Sequence, residues 1–190
     1  MSDVLLLFDH FGPYHRARLR GALKAGMSVT GVECYARSKD YAWTPSGTTG
    51  LPVQTVCDGK DMTKAEFSSA LWAMLDRLKP EVVTIPGWAG REALTALHWC
   101  LTREVPAIMM SESCSHDEVR TCLKEKVKRM ILACCPAALV GGSLHQAYLE
   151  ELGLKKEQIS LGYDVVDNDY FTEGARQERE KAGNKRPGLF

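Results

Sequence analysis

A parallel α/β domain, with helices on both faces of one sheet, is the fold class this sequence predicts. Three observations carry it. Short apolar runs of strand length recur along the chain, longer amphipathic segments separate them, and glycine or proline marks most junctions. A length of 190 residues suits one sizeable domain with a short tail. The apolar share of 45% is ordinary for a chain that builds a core.

The first apolar run, Val4 to Phe8, is a buried strand, and Pro13 fits the first turn of the helix predicted over 14–24. Gly26 suits the end of that helix. Strands follow at 28–34 and 53–56, with a long loop between them over 36–52 that is rich in glycine, serine and threonine. Phe67, Ala70, Leu71, Met74, Leu75 and Leu78 form a helical stripe over 63–78, opened by a Thr63/Glu66 capping box. Lys79-Pro80 ends it before a strand at 82–85. The next helix covers 90–103 and carries His98, read as a packed residue, and a strand follows at 107–110. Segment 117–132 sets Val119, Leu123, Val127, Met130 and Ile131 on one side and a crowd of lysines and arginines on the other. Its basic face reads as a solvated surface, with contact to an anionic membrane as the alternative. A strand at 136–140, a helix at 144–152 capped by Gly153 and an edge strand at 159–161 complete the alternation. From Thr172 to Pro187 the composition is that of a linker, and the apolar end Pro187 to Phe190 is expected to start a further strand.

Charge and cysteine content narrow the function classes. Twenty-four basic residues balance twenty-four acidic ones, so no global field draws nucleic acid, and a charged ligand must be held locally. Seven scattered cysteines fit neither a zinc spacing nor a disulfide framework, which points to the reducing cytosol and to no bound metal. No segment reads as a signal peptide, and none approaches the roughly 20 apolar residues of a membrane span.

In open parallel sheets ligands bind beyond the carboxyl ends of the strands, so the turns there hold the candidates. Asp9 to Arg16 offers Gly12 for close backbone approach, a helix start for an anion, and Tyr14, His15 and Arg16 as polar groups. One glycine is not the dinucleotide fingerprint, so no nicotinamide or flavin cofactor is expected. Trp88, between Gly87 and Gly90, is a candidate platform for a sugar ring or else a core residue. Ser111, Glu112, Ser113 and His116 gather a carboxylate, hydroxyls and an imidazole after one strand, the groups that acid–base work or hydroxyl binding needs. Gly142 opens a turn able to admit a phosphate or sugar. Cys114 reads as structural for want of a paired base.

Gly162-Tyr163-Asp164-Val165-Val166-Asp167-Asn168-Asp169-Tyr170-Phe171 is similar to the G-V-D-x-x-x-F signature with which retaining GT-B glycosyltransferases of family 4 (group 1) leave their first domain. Asp9 to His15 resembles their glycine-containing loop after the first strand, and Val140 to Ser143 and Tyr148 to Gly153 fit the same order. The resemblance covers Val4 to Phe171. It implies a Rossmann-like acceptor domain over 1–171, facing a donor-binding domain that begins beyond 172–190. The implied activity is transfer of a sugar from a nucleotide-sugar donor, with retention and without a cofactor, to a carbohydrate, lipid-linked or small-molecule acceptor. Glu112 and His116 would be catalytic, with Gly12, Tyr14, His15, Arg16, Trp88, Ser111, Ser113 and Gly142 lining the cleft. The implied place is the cytoplasm, with peripheral contact at the inner face of a membrane. Two departures stand out. The family's E-x7-E motif is absent, so this chain alone is expected to be inactive, and Ser111 and Glu112 occupy the place of a histidine found in many members. The alternatives are a non-catalytic flavodoxin-like binding or regulatory domain and half of a nucleotide-sugar epimerase.

Overall fold

The computed structural model of the protein describes residues 3–36, 50–58 and 62–181. Its strands are β1 (Val4–Phe8), β2 (Val29–Tyr35), β3 (Val53–Cys57), β4 (Val82–Pro86), β5 (Ala107–Ser111), β6 (Ala137–Val140) and β7 (Ile159–Leu161). Its helices are α1 (Pro13–Lys24), α2 (Lys64–Leu78), α3 (Arg91–Arg103), α4 (Cys122–Leu132), α5 (Ser143–Leu152) and α6 (Asn168–Lys181). The loop predicted over 36–52 lies mostly outside the described residues, as does everything after Lys181.

All seven strands pair in parallel, in the order β3-β2-β1-β4-β5-β6-β7. Side chains alternate across such a sheet. Leu5 and Leu7 of β1 join Val83, Ile85, Met109 and Val140 in the larger core, against Phe67, Leu71 and Leu75 of α2, Ala96 and Cys100 of α3, and Leu149 of α5. Phe8 turns the other way, to Phe11, Leu19 of α1, Met110 and Tyr163. Helices therefore lie on both faces, but unevenly. On the α1 side a groove of about 620 Å³ stays open over Val4, Leu6, Ile108 and Leu139.

The local signals read from the sequence are visible at the helix ends. Thr63 Oγ1 accepts from the Glu66 amide at 3.3 Å and the Thr63 amide donates to Glu66 Oε2 at 2.8 Å. Gly153 closes α5 at φ +115°, a conformation in which a Cβ is strained. The segment from Thr172 with a linker's composition is instead helical as far as Lys181. Arg176, paired with Glu173 and Glu180, ties successive turns of α6. His98 is exposed and meets Trp72 edge-to-face at 5.2 Å, where the sequence suggested a packed residue.

The largest departure is α4. Val119, Leu123, Val127 and Met130 of the predicted apolar face look outward, Ile131 packs against the core beside the buried Leu132, and the rest of the inner side is polar. Thr121 caps the helix, so 117–121 precede it as loop. Inside, Lys128 Nζ donates to Glu118 Oε1 at 2.7 Å and to the Tyr148 hydroxyl at 2.9 Å, and that hydroxyl donates to Glu125 Oε1 at 3.0 Å. The Tyr148 ring is sealed in the core. Leaving its hydroxyl unpaired would cost about 1–3 kcal/mol, comparable to burying one more aliphatic side chain. The polar partners share the inner face with Leu132.

At α1, the Gly12 amide donates to Nδ1 of His15 at 3.2 Å, which fixes the proton on Nε2 and requires a neutral ring. Burial first, and the positive charge of Arg18 second, push the His15 pKa down from 6.5 to about 4. Unfolded chains thus take a proton that the folded one resists, so stability falls as pH drops from 6.5 towards 4. His15→Gln keeps a capping acceptor without a titrating ring. Its urea midpoint is expected to change less between pH 7 and pH 5 than that of the parent. On β4, Thr84 is 5% exposed and its hydroxyl has no hydrogen-bond partner among the described residues. Thr84→Val is expected to stabilise the fold by about 1 kcal/mol, read as a higher denaturant midpoint at unchanged slope.

Candidate functional site

The side on which strands are added to the sheet switches between β1 and β4. The path from β1 moves outward to β2 and β3, then crosses back to β4 and continues the other way. Such a switch point leaves a crevice beyond the carboxyl ends of the strands. Here it is a cleft of about 580 Å³. Four segments line it: Phe8 to His10 with the start of α1, Pro86-Gly87 after β4, Met110 to Ser113 at the end of β5, and Tyr163-Asp164 after β7.

The floor of the first segment is set by Glu33, a buried carboxylate on β2. Its Oε2 accepts from the Phe11 amide at 3.1 Å and its Oε1 accepts from Thr55 Oγ1 at 2.7 Å. His10 donates from Nδ1 to the Tyr35 carbonyl at 3.2 Å. Two consecutive residues are thereby fastened before α1 begins, and Tyr14 and His15 reach the cleft from its first turn. The neutral His15 offers an Nε2–H donor. Arg18, one turn on, donates from Nη2 to Asp164 Oδ1 at 3.0 Å and lies 4.5 Å over the Tyr163 ring. Burial, with the nearby Glu112 carboxylate as a smaller cause, raises the Tyr163 pKa, keeping the phenol protonated at neutral pH.

The opposite wall comes from β5. Ser111 is its last residue, buried, with Oγ accepting from the Ser113 amide at 3.2 Å. That contact bends the chain and leaves Glu112 exposed at the rim. Gly87 closes the middle of the floor. Its amide donates to the Met110 carbonyl at 2.8 Å and its φ of +74° is open to glycine at least cost.

The structure thus brings together Tyr14, His15, Ser111, Glu112 and Ser113 of the residues singled out from sequence. Gly12 caps α1 beside them. Four others lie outside the lining. Arg16 is buried on the far side of α1, in a second groove against Tyr170 and Phe171 of α6. Trp88 packs on the core, edge-on to Tyr148 at 6.3 Å. His116 is exposed on the next loop, 3.3 Å from Ser115 Oγ. Gly142 is the N-cap of α5, beside His145. Cys114 donates its thiol to Asp117 Oδ1 at 2.9 Å, while its amide donates to the other carboxylate oxygen, a loop-closing pair that holds the Asp117 pKa low. His10, Gly87, Tyr163 and Asp164 stood within turns weighed from sequence without being named as lining residues, and Arg18 lay outside those turns. Arg18 had a usable signal, since it sits three residues beyond His15 on one helix face.

The cleft carries hydroxyls, the carboxylates of Asp9, Glu112 and Asp164, the last paired with Arg18, the imidazoles of His10 and His15, a guanidinium and the amino end of α1. That set suits a polyhydroxylated ligand with an anionic group. Among the described residues no group of three or more His, Cys, Asp or Glu is placed to hold a metal ion, and no helix is long and apolar enough to cross a membrane.

No family profile and no curated protein sequence matches the chain. Solved structures do. The Anabaena Alr3699/HepE structure in complex with UDP and glucose superposes with a TM-score of 0.64 at 9% identity, over 96% of this chain and 50% of that one. The S. aureus MnaA–UDP structure gives 0.58 at 14% identity, over 90% and 48%. UDP-N-acetylglucosamine 2-epimerase from Rickettsia bellii gives 0.58 at 13%, over 97% and 49%. The chain spans about half the length of these proteins. It has the fold of one Rossmann-like half of a GT-B enzyme.

Proposed function

We propose that this chain is the acceptor-holding half of a glycosyltransferase that moves a sugar from a nucleotide-sugar donor with retention of configuration. The observation that carries the reading is the convergence of Tyr14, His15, Ser111, Glu112 and Ser113 on one cleft at the switch point of the sheet. The acceptor-side unit runs over 1–171, with the donor held mainly by a second half reached beyond 172. Structures of similar fold are solved with UDP, with UDP and glucose, and with UDP-glucose, which supports a uridine-nucleotide sugar as donor.

The residues divide the work by chemistry. Glu112, which has no ion-pair partner among the described residues, accepts a hydrogen bond from an acceptor hydroxyl and raises its nucleophilicity. Ser113 and Tyr14 orient neighbouring hydroxyls. Negative charge grows on the departing phosphate, and the groups that answer it are the His15 Nε2–H, the amino end of α1 and, behind them, the Arg18 guanidinium. His116 and Trp88 are left without a role at this cleft, and Arg16 and Gly142 with a structural one.

A second reading is half of a nucleotide-sugar epimerase, favoured by the several UDP-N-acetylglucosamine 2-epimerases of the same fold. One experiment separates the two. The longest polypeptide encoded in frame with this chain is incubated with a panel of nucleotide sugars and glycoside or lipid acceptors, and the products are read by mass spectrometry. Transfer predicts an acceptor heavier by one sugar residue and free nucleotide diphosphate. An isomerised donor with no acceptor gain establishes the epimerase, and neither product establishes a binding domain. Under transfer, Glu112→Gln is expected to lower turnover by about 10²-fold or more with an unchanged circular-dichroism spectrum. Full activity of that variant removes Glu112 from the chemistry. The chain by itself is expected to give no measurable heat with nucleotide sugars in calorimetry, and tight binding would place the donor site in this half.

A further inference from the structure

Helices α2 and α3 pack side by side over the larger core, and the outer seam between them does not close. Phe67, Leu71 and Leu75 of α2 and Ala93, Ala96 and Cys100 of α3 belong to the core. One step round each helix, Ser68 and Trp72 of α2 share a groove with Arg91, Leu94, Thr95 and His98 of α3. Their spacings of three and four residues put each set on one helix face. Packed helices interlock side chains along such a seam. Here two small side chains meet instead, Ser68 Oγ and Thr95 Oγ1 at 3.2 Å, and about 660 Å³ stays open. Trp72 is held in place at this groove. Asp76, one turn further along α2, accepts hydrogen bonds from the Trp72 side chain, from Trp99 Nε1 at 2.9 Å and from Arg103 Nε at 2.9 Å. His98 meets the Trp72 ring edge-to-face at 5.2 Å. The ring is half-buried and lines the groove, so its orientation is set before any ligand arrives.

We propose that this groove binds a glycan, with one pyranose ring stacked on Trp72 and its hydroxyls on Ser68, Thr95 and the Arg91 guanidinium. The chemistry of the lining selects that ligand. A sugar ring turns C–H bonds to one side, and the negative face of an indole attracts them. Its rim of hydroxyls both donates and accepts, as the hydroxyls of Ser68 and Thr95 do. A wholly apolar ligand would strip water from those hydroxyls and from Arg91 and replace none of its hydrogen bonds. A nucleoside polyphosphate would find one guanidinium in the lining to answer several charges. The volume lies within the roughly 300–1,000 Å³ common to small-molecule sites. None of the lining residues is shared with the cleft at the switch point. The groove is therefore a second site, and the proposal holds whichever reaction the cleft performs.

Saturation-transfer NMR of the purified protein tests it, with maltotetraose, cellotetraose, chitotetraose and tetragalacturonate as probes. At least one probe is expected to receive saturation, most strongly at the C–H protons of one ring. Trp72→Leu keeps apolar bulk at the seam and should abolish that transfer. Arg91→Ala should weaken the same probe about tenfold, and Glu112→Gln in the cleft should leave it unchanged. If Trp72→Leu lowers the thermal midpoint, Arg91→Ala decides the matter. Five results overturn the proposal: no transfer to any probe, transfer that survives Trp72→Leu, undiminished affinity in Arg91→Ala, transfer lost in Glu112→Gln, or a concentration-dependent dimer that Trp72→Leu dissociates. The fourth would assign the sugar to the cleft, and the fifth would assign the groove to a second copy.

Discussion

A parallel strand cannot be followed by its neighbour without carrying the chain back along the sheet, and this constraint places the candidate site. Every strand of the seven releases the chain at the same edge, so each following turn is a chance to add a functional group there. Most of these chances are spent on capping or packing. Around β1, where the chain first turns outward and later returns to the other side, the turns after β1, β4, β5 and β7 face one another. The Glu33 carboxylate then fixes the turn after β1 by holding the Phe11 amide, and α1 starts in the direction that delivers Tyr14, His15 and Arg18. Distance along the sequence matters little. Glu33 and Phe11 are 22 residues apart, and Arg18 and Asp164 are 146 apart.

Most of the architecture was legible because its signals are local. Alternating apolar runs identify strands, Thr63 with Glu66 opens α2, and Pro13 and Gly153 bracket α1 and α5 where backbone geometry calls for them. Two helices were not legible in full, for different reasons. The run from Thr172 has the composition of a linker, yet charge pairs at three and four residues apart are also what a solvated helix uses, and composition alone does not rank the two. In α4 the 3.6-residue period was plain, but a period says that two faces differ and not which one is inner. The deciding fact, a buried Tyr148 hydroxyl needing Lys128 and Glu125, lies on another helix.

Of the cleft, the sequence revealed the turns and five of the fourteen lining residues. Tyr14, His15 and Ser111 to Ser113 were found because they crowd polar groups directly after apolar runs. Trp88 and His116 stood out by the same rule and went elsewhere, Trp88 to the core edge and His116 to an exposed loop. Their direction depends on where the following helix docks. Arg18 was missed, and Gly87 was noticed only as a neighbour of Trp88, since a helix residue's facing and a glycine's φ are set by tertiary context.

The open groove on the α1 side has a further meaning for how the chain keeps company. Val4, Leu6, Ile108 and Leu139 sit on strands whose backbone amides and carbonyls are already engaged by neighbours on each side. Nothing there asks for a new strand, and the Thr84 hydroxyl between these strands is the polar group left without a partner among the described residues. Whatever settles on it is held mainly by contact area, so its composition is free to drift so long as it stays greasy and fits. A surface of that kind sets a weak filter on sequence and a strong one on shape.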